Sequence, residues 1–328
     1  MKQFEYLRPT AQQAALAAVA KTAGAKFIAG GTNLLDLMKR QVMTPDRLID
    51  INKLPLKEIN TLNNGIHIGA LALNSVVAEH ETVRKHSELL SQALHAGASA
   101  QLRNMATVGG NLMQRTRCPY FYDTSMPCNK REPGTGCSAL KGYNRMHAIF
   151  GASEHCIAVN PSDMNVALAA LDAIVYVTGT KGERQIPILD FHRLPGDHPE
   201  KDTVLDKNDL ITAVFIPSNT LNHHHYLKVR DRASYAFALV SVAAGLEIAG
   251  KTIKTARLAM GGVAHKPWRL KEAEQFLQGK EASVQTFEQA AAVAMRGAKS
   301  YGDNDFKLKL APNSIVEALM VASGIDNY

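Results

Sequence analysis

The chain has 328 residues, 46% of them hydrophobic and 20% charged, with a formal net charge of +7 and a pI near 9.1. That balance excludes a disordered chain, which combines low hydrophobicity with high charge, and no apolar run approaches the roughly 18 residues a membrane helix needs. The excess of cations permits an anionic ligand, but it is not gathered into the patch that marks a nucleic-acid-binding chain.

The amino terminus, Met1-Lys2-Gln3-Phe4-Glu5, has no basic segment leading into an apolar one, so no export signal is expected on this chain. Thr10 to Lys21, rich in Ala, Gln, Leu and Val, predicts a helix. Lys26 to Ala29 predicts a short buried strand, broken by Gly30-Gly31-Thr32-Asn33, and Leu34 to Arg40 predicts a helix. Strands are expected at Arg47–Ile51 and at Gly65–Ala70, where Ile66 and Ile68 alternate. Ser87 to Gly97 predicts a helix, and Arg103 to Asn111 a turn-rich stretch ending in Gly109-Gly110-Asn111.

Residues 114–156 change character. Pro119, Pro127, Pro133, Gly134, Gly136, Gly142 and Gly151 break regular structure, and a loop of that length inside a compact domain is uncommon unless it is functional. A helix over Asp163–Leu171 and strands over Ala173–Thr178 and Leu210–Pro217 follow. Ser218 to His225 reads as a solvated connection, because the adjacent His223, His224 and His225 point in different directions and make a poor metal site. Tyr226–Arg232, Leu239–Ala249 and Thr252–Met260 predict three antiparallel strands, and helices are expected within Lys271–Gln278, Val284–Ser300 and Asp305–Ser323. Strands followed by helices describe an α+β layer. Trp268, the single tryptophan, belongs to a core or an interface.

All four cysteines, Cys118, Cys128, Cys137 and Cys156, fall within one 39-residue window. Three readings compete. Two disulfides would suit a small secreted domain better than a chain with ample core. Zinc sites favour tight C-x2-C pairs, whereas the gaps here are 9, 8 and 18 residues. Four thiolates on one loop also match an iron–sulfur cluster. Residues 114–156 hold six Lys or Arg against three acids, which is either a solvated basic face or a positive surround for an anionic centre. Two Gly-Gly elements, Ala29-Gly30-Gly31-Thr32-Asn33 and Thr107-Val108-Gly109-Gly110-Asn111, let backbone N–H groups approach an anion. Neither is a P-loop or a Rossmann fingerprint. Alone, each reads as a tight turn. Paired, they suit a dinucleotide pyrophosphate held from two sides.

The order and spacing of Phe27-Ile28-Ala29-Gly30-Gly31-Thr32-Asn33-Leu34, Arg103-Asn104, Thr107-Val108-Gly109-Gly110-Asn111 and Pro161-Ser162-Asp163 resemble the FAD-binding medium subunit of the molybdenum hydroxylases. Lys228-Val229-Arg230-Asp231-Arg232-Ala233-Ser234-Tyr235-Ala236 looks like the start of that family's carboxy-terminal domain, and Cys118-Pro-Tyr-Phe-Tyr-Asp123 is similar to the periplasmic aldehyde oxidoreductase branch. In most members the Gly-Gly-Asn loop is followed much sooner by Ser-Asp. Here Asn111 and Asp163 are 52 positions apart, and the excess is the cysteine loop.

The resemblance implies an α+β fold with three parts. A two-part FAD-binding domain of the PCMH or vanillyl-alcohol-oxidase type covers residues 1–220, divided near 55–56, with a cluster-binding insertion at about 114–157. A CO dehydrogenase flavoprotein-like domain covers 221–328. Lys26, Phe27, Ile28, Ala29, Gly30, Gly31, Thr32, Asn33 and Leu34 should wrap the FAD pyrophosphate, with Thr107, Gly110 and Asn111 as the opposing wall. Asp163 should bind flavin hydroxyls, Ile211 should touch the flavin, and Lys228 should lie near the isoalloxazine.

The same resemblance makes Cys118, Cys128, Cys137 and Cys156 the ligands of a [4Fe–4S] cluster. It also implies a heterotrimer that oxidises aldehydes to carboxylic acids. The molybdenum cofactor would lie in a large subunit and [2Fe–2S] clusters in a small one, and an external acceptor would take electrons from this flavin. Export together with a signal-bearing partner to the periplasm is expected, with a cytoplasmic location as the alternative. The rival readings are a 4-hydroxybenzoyl-CoA reductase-type or xanthine dehydrogenase-type subunit and, remotely, a zinc-loop nucleic-acid-binding protein.

Overall fold

A computed structural model describes residues 1–62 and 64–325. The first sheet is parallel, made of β1 (Glu5–Leu7), β2 (Ala25–Ile28) and β3 (Arg47–Asp50) in the order β1-β3-β2. Parallel strands need a crossover: the helix Gln12–Ala20 supplies the one from β1 to β2, burying Ala15 and Val19 with Ile49, and the helix Leu34–Lys39 lies on the one from β2 to its neighbour β3. The second sheet joins β4 (Ile59–Leu62), β5 (Gly65–Gly69), β6 (Ile174–Gly179), β7 (Gly182–Pro187) and β8 (Leu210–Pro217) in the antiparallel order β4-β5-β8-β6-β7. The third is β9 (His223–Val229), β10 (Val240–Ala249), β11 (Thr252–Gly261) and β12 (Trp268–Arg269), also antiparallel, in the order β12-β11-β10-β9.

Side chains on a strand alternate between faces, and β10 uses both. Val240, Val242, Ala244 and Leu246 pack with the helices Lys271–Leu277, Val284–Ala294 and Lys307–Ser323. Ala243, with Tyr226 and Ala259, turns the other way into a core shared with the second sheet. The helix Asp163–Ala170 lies in that shared core with all eight residues buried, the burial expected of a helix that is largely apolar on every side. Its start is fixed by Ser162, whose Oγ accepts from the Asn165 amide at 3.1 Å.

Several expectations need correction. The third sheet has four strands rather than three. His223, His224 and His225 lie in β9 rather than in a solvated connection, with His223 Nδ1 3.1 Å from the Ala322 carbonyl. Trp268, expected in a core or an interface, does pack against the core of the third sheet, in β12, and stacks on Phe150 with centroids 5.1 Å apart. The stretch predicted as turns contains the short helices Ala100–Arg103 and Val108–Leu112, capped by Ser99 and Thr107. Helices Asn74–Glu79 and Glu81–His86 were not expected. The long loop is ordered by local elements, namely the turn Pro119–Tyr122, the 3-10 turn Ser138–Leu140 and a bridge between Cys128 and Cys137.

Arg269 joins the third sheet to the central helix. It pairs with Glu274, donates to the Ala169 carbonyl, and reaches Asp172 Oδ1 at 2.8 Å. Glu274 Oε1 also accepts from the Leu258 amide at 2.6 Å. Glu274→Ala removes one of the two carboxylates paired with the buried guanidinium and strands the Leu258 amide, so a loss of about 1–3 kcal/mol is expected in urea unfolding. A change below about 1 kcal/mol would show that this contact is a rim pair.

Candidate cofactor sites

Two sites emerge, and one carboxylate joins them. The first is a cleft of about 390 Å³ whose lining includes every residue from Lys26 to Leu34, together with Thr107, Gly110 and Ile211. The two Gly-Gly loops meet back to back. A Cβ on Gly30 would overlap the Met105 carbonyl oxygen, and Gly31 sits at φ +70°, where a side chain is strained. The amides of Gly30, Gly31, Thr32 and Asn33 find no acceptor among the described residues. Consecutive free N–H groups form a nest for an anion. Asn33 Oδ1 accepts from the Arg115 amide at 2.9 Å, while its buried Nδ2 has no protein partner. Burial lowers the Lys26 pKa, and the neighbouring Arg115 and Lys207 charges lower it further. Lys26, Arg115, Lys201 and Lys207 line the cleft together with Glu200, Asp202, Asp206 and Asp209, so the free loop amides, rather than a surplus of cations, mark the place for a diphosphate.

Not every expected residue lines this cleft. Asn111 ties the second loop to the central helix, its Oδ1 accepting from Ser162 Oγ at 2.8 Å and from Gln114. Asp163 and Lys228 form a buried ion pair at 2.7 Å. The other Asp163 oxygen accepts from Tyr226 Oη at 2.8 Å, and Lys228 also donates to the Ala96 carbonyl. Asp163 lines a separate cavity of about 170 Å³ with Thr116, Arg117, Cys118, His147 and Phe237. Conversely, the segment from Glu200 to Lys207 forms a wall of the main cleft that sequence reasoning left unassigned. Its only legible signal is a density of Asp, Glu and Lys flanking a Pro-Gly turn.

The second site is a small cavity lined by Cys118, Cys128, Cys137 and Cys156, with Lys130 and His147. All four cysteines are free thiols. Burial, helped by charge on Cys128 and Cys156, pushes the Cys118 thiol up to about 12. Cys156 is pushed up to about 11 by burial and by Cys137 and Cys128, against an opposing pull from Lys130. Ionised together, these sulfurs require a cationic centre between them.

The loop's cations do not form a solvated face, since five of the six tie the structure together. Arg131 donates to the carbonyls of Tyr120, Phe121 and Met126. Arg117 reaches Asp36 at 3.1 Å, and Arg145 reaches Asp231 at 2.8 Å. Arg115 Nε donates to Asp202 Oδ2 at 2.6 Å, and Lys130, its side chain 1% exposed, pairs with Asp202 Oδ1. Burial acts to raise the Asp202 pKa, but Lys130 and Arg115 outweigh it and hold the carboxyl well below the usual range.

Residues 2–219 match the model of the FAD binding domain in molybdopterin dehydrogenase, and residues 225–321 match that of the CO dehydrogenase flavoprotein C-terminal domain. The chain belongs to the FAD-binding medium subunits of the molybdenum hydroxylases. It is 50% identical over 325 residues to the aldehyde oxidoreductase FAD-binding subunit PaoB of Escherichia coli K12, covering 98% of this chain and 99% of that protein. The carbon monoxide dehydrogenase medium chain of Hydrogenophaga pseudoflava is 25% identical, covering 97% and 96%. Among solved structures, quinoline 2-oxidoreductase from Pseudomonas putida 86 matches with a TM-score of 0.76 at 27% identity, covering 99% of each chain. Carbon monoxide dehydrogenase from Hydrogenophaga pseudoflava matches with a TM-score of 0.78 at 24% identity, covering 99% and 98%, a likeness of fold. As a medium subunit, the chain is the FAD-binding part of an oxidoreductase. Among the described residues no helix is long and apolar enough to cross a membrane.

For this medium subunit, Gly30→Ala should push the turn at Met105 away from the first glycine loop and weaken FAD binding by roughly tenfold or more, about 1.4 kcal/mol. Flavin fluorescence titration reads this, and an unchanged Kd would place the diphosphate elsewhere. Asp202→Asn leaves Lys130 buried beside a neutral amide and should cost about 3–5 kcal/mol at pH 7. Because the native carboxyl pKa is depressed, its contribution is present above the unfolded value of 3.8 and fades as pH falls below it. The gap between wild type and Asp202→Asn should therefore narrow below about pH 4 in thermal melts.

Proposed function

We propose that this chain is the FAD- and [4Fe–4S]-carrying electron-transfer subunit of a heterotrimeric molybdenum enzyme that oxidises aldehydes to carboxylic acids. The observation that carries the reaction class is the 50% identity to PaoB along nearly the whole of both chains. The cluster rests on four unpaired cysteines around one cavity. Four sulfurs lining one cavity suit a cluster that takes one thiolate at each iron.

When bound, the flavin and the cluster supply reversible electron storage, and the protein's part is to hold and tune them. The free amides from Gly30 to Asn33 and the Lys26 and Arg115 charges bind the diphosphate. Thr107 fixes the second loop by accepting from the Gly110 amide. Asp163, held by Lys228, lines the neighbouring cavity, where the flavin hydroxyls and ring would lie. Electrons would arrive from a small [2Fe–2S] subunit fed by a large molybdenum-cofactor subunit, and would leave to an external acceptor. We assign the complex to the periplasm, reached by co-export with a signal-bearing partner. Finding it in the cytoplasmic fraction would refute that location.

Co-expression with its partner subunits should give an enzyme that oxidises aldehydes with an artificial acceptor. Activity confined to xanthine oxidation or 4-hydroxybenzoyl-CoA reduction would instead support those relatives. Cys137→Ser should lower bound iron and expose residues 114–156 to protease, because the cluster supplies ordering energy to a Pro- and Gly-rich loop. FAD should largely remain. Zinc in anaerobically purified protein would overturn the cluster assignment.

A further inference from the structure

His147 is a buried side chain with one partner. Its Nε2 lies 3.1 Å from Cys118 Sγ, while its buried Nδ1 has no hydrogen-bond partner among the described residues. The ring is 2% exposed and, with Cys118 and Thr116, stands between the cysteine cavity and the cavity of about 170 Å³ beside it. Its backbone is clamped on both sides. The His147 amide donates to the Asn144 carbonyl at 2.9 Å. Its carbonyl accepts from Lys307 Nζ at 3.0 Å and from Asn304 Nδ2 at 3.3 Å.

Lys307 is fully buried, and its other contact is the Gly262 carbonyl at 2.6 Å. An ammonium held by two carbonyls without a carboxylate is costly. Here its position fixes the chain on which the imidazole stands. The start of the helix Lys307–Ser323 thus reaches the backbone on which the imidazole stands, beside further contacts of Asn144 with Tyr301 and Asp303.

We infer that His147 is the positioning residue for Cys118, donating its Nε2–H to the ligand sulfur and thereby raising the reduction potential of the metal centre. A thiolate bound to iron carries no proton, so the ring must be the donor. A hydrogen bond to a ligand sulfur withdraws charge from the centre and favours its reduced form. This inference rests on the four cysteines holding an iron–sulfur cluster.

The test uses the anaerobically purified complex. His147→Phe keeps a ring of similar size and removes the donor. His147→Gln restores an amide N–H near the Nε2 position. In a redox titration followed by electron paramagnetic resonance, the cluster on this chain should shift to lower potential in His147→Phe and return toward wild type in His147→Gln, with iron content unchanged. An unshifted potential in His147→Phe overturns the inference. So does loss of the cluster in both variants, which would make His147 a ligand or a purely structural residue. Should His147→Phe fail to fold, wild-type complex labelled with 15N-histidine decides. A weak nitrogen coupling to the reduced cluster supports the hydrogen bond, and its absence overturns it. Wild-type protein without a third iron–sulfur signal, beyond those of the small subunit, would instead refute the cluster reading itself.

Discussion

The shared carboxylate of Asp202 is the constraint around which both sites are built. Arg115 approaches it from the flavin cleft and Lys130 from the cysteine cavity. Each cation is expensive to bury alone, and one anion serves both. Arg115 also fixes Asn33 through its backbone amide, so the first glycine loop, the acidic segment around Glu200 and the cysteine loop are held in one register. The insertion is therefore no appendage. It supplies part of the wall of the cleft and receives part of its own support from it.

The two sites solve opposite electrostatic problems. In the proposed reading the cleft binds a diphosphate, with free backbone amides beside Gly30, which is packed too closely for any Cβ. The cavity must hold thiols that burial keeps protonated, and it becomes favourable only when a cationic centre replaces those protons. Between them runs the fully buried helix Asp163–Ala170, fastened to the second loop by Ser162 and Asn111 and to the third sheet by Asp163, Lys228 and Tyr226. Residues expected at the flavin thus tie the second loop, this helix and the third sheet together.

Much of this was legible in the sequence because it follows from local chemistry. Glycine pairs after a strand, Ser-Asp before a helix and four clustered cysteines each have a short-range physical meaning: the first loop lines the cleft, Ser162 caps its helix and the four cysteines line one cavity, while Asp163 lies outside the cleft. What escaped reading depends on long-range pairing. Nothing local to Lys130 reveals that its charge is buried against Asp202, 72 positions away. His223 to His225 look like linker because histidine has weak strand preference, yet β10 recruits them into a sheet edge. The wall around Glu200 lacks any periodicity, since it is shaped by the cations it meets. Trp268 belongs to a strand of two residues, shorter than pattern reading can detect.

The most direct measurement is diffraction from crystals of the assembled enzyme, with data collected on either side of the iron absorption edge. The account predicts an anomalous peak enclosed by the sulfurs of Cys118, Cys128, Cys137 and Cys156, in the same crystal that shows a flavin diphosphate against Gly30 to Asn33. A zinc-edge signal there, or a disulfide between any two of these cysteines, would contradict it.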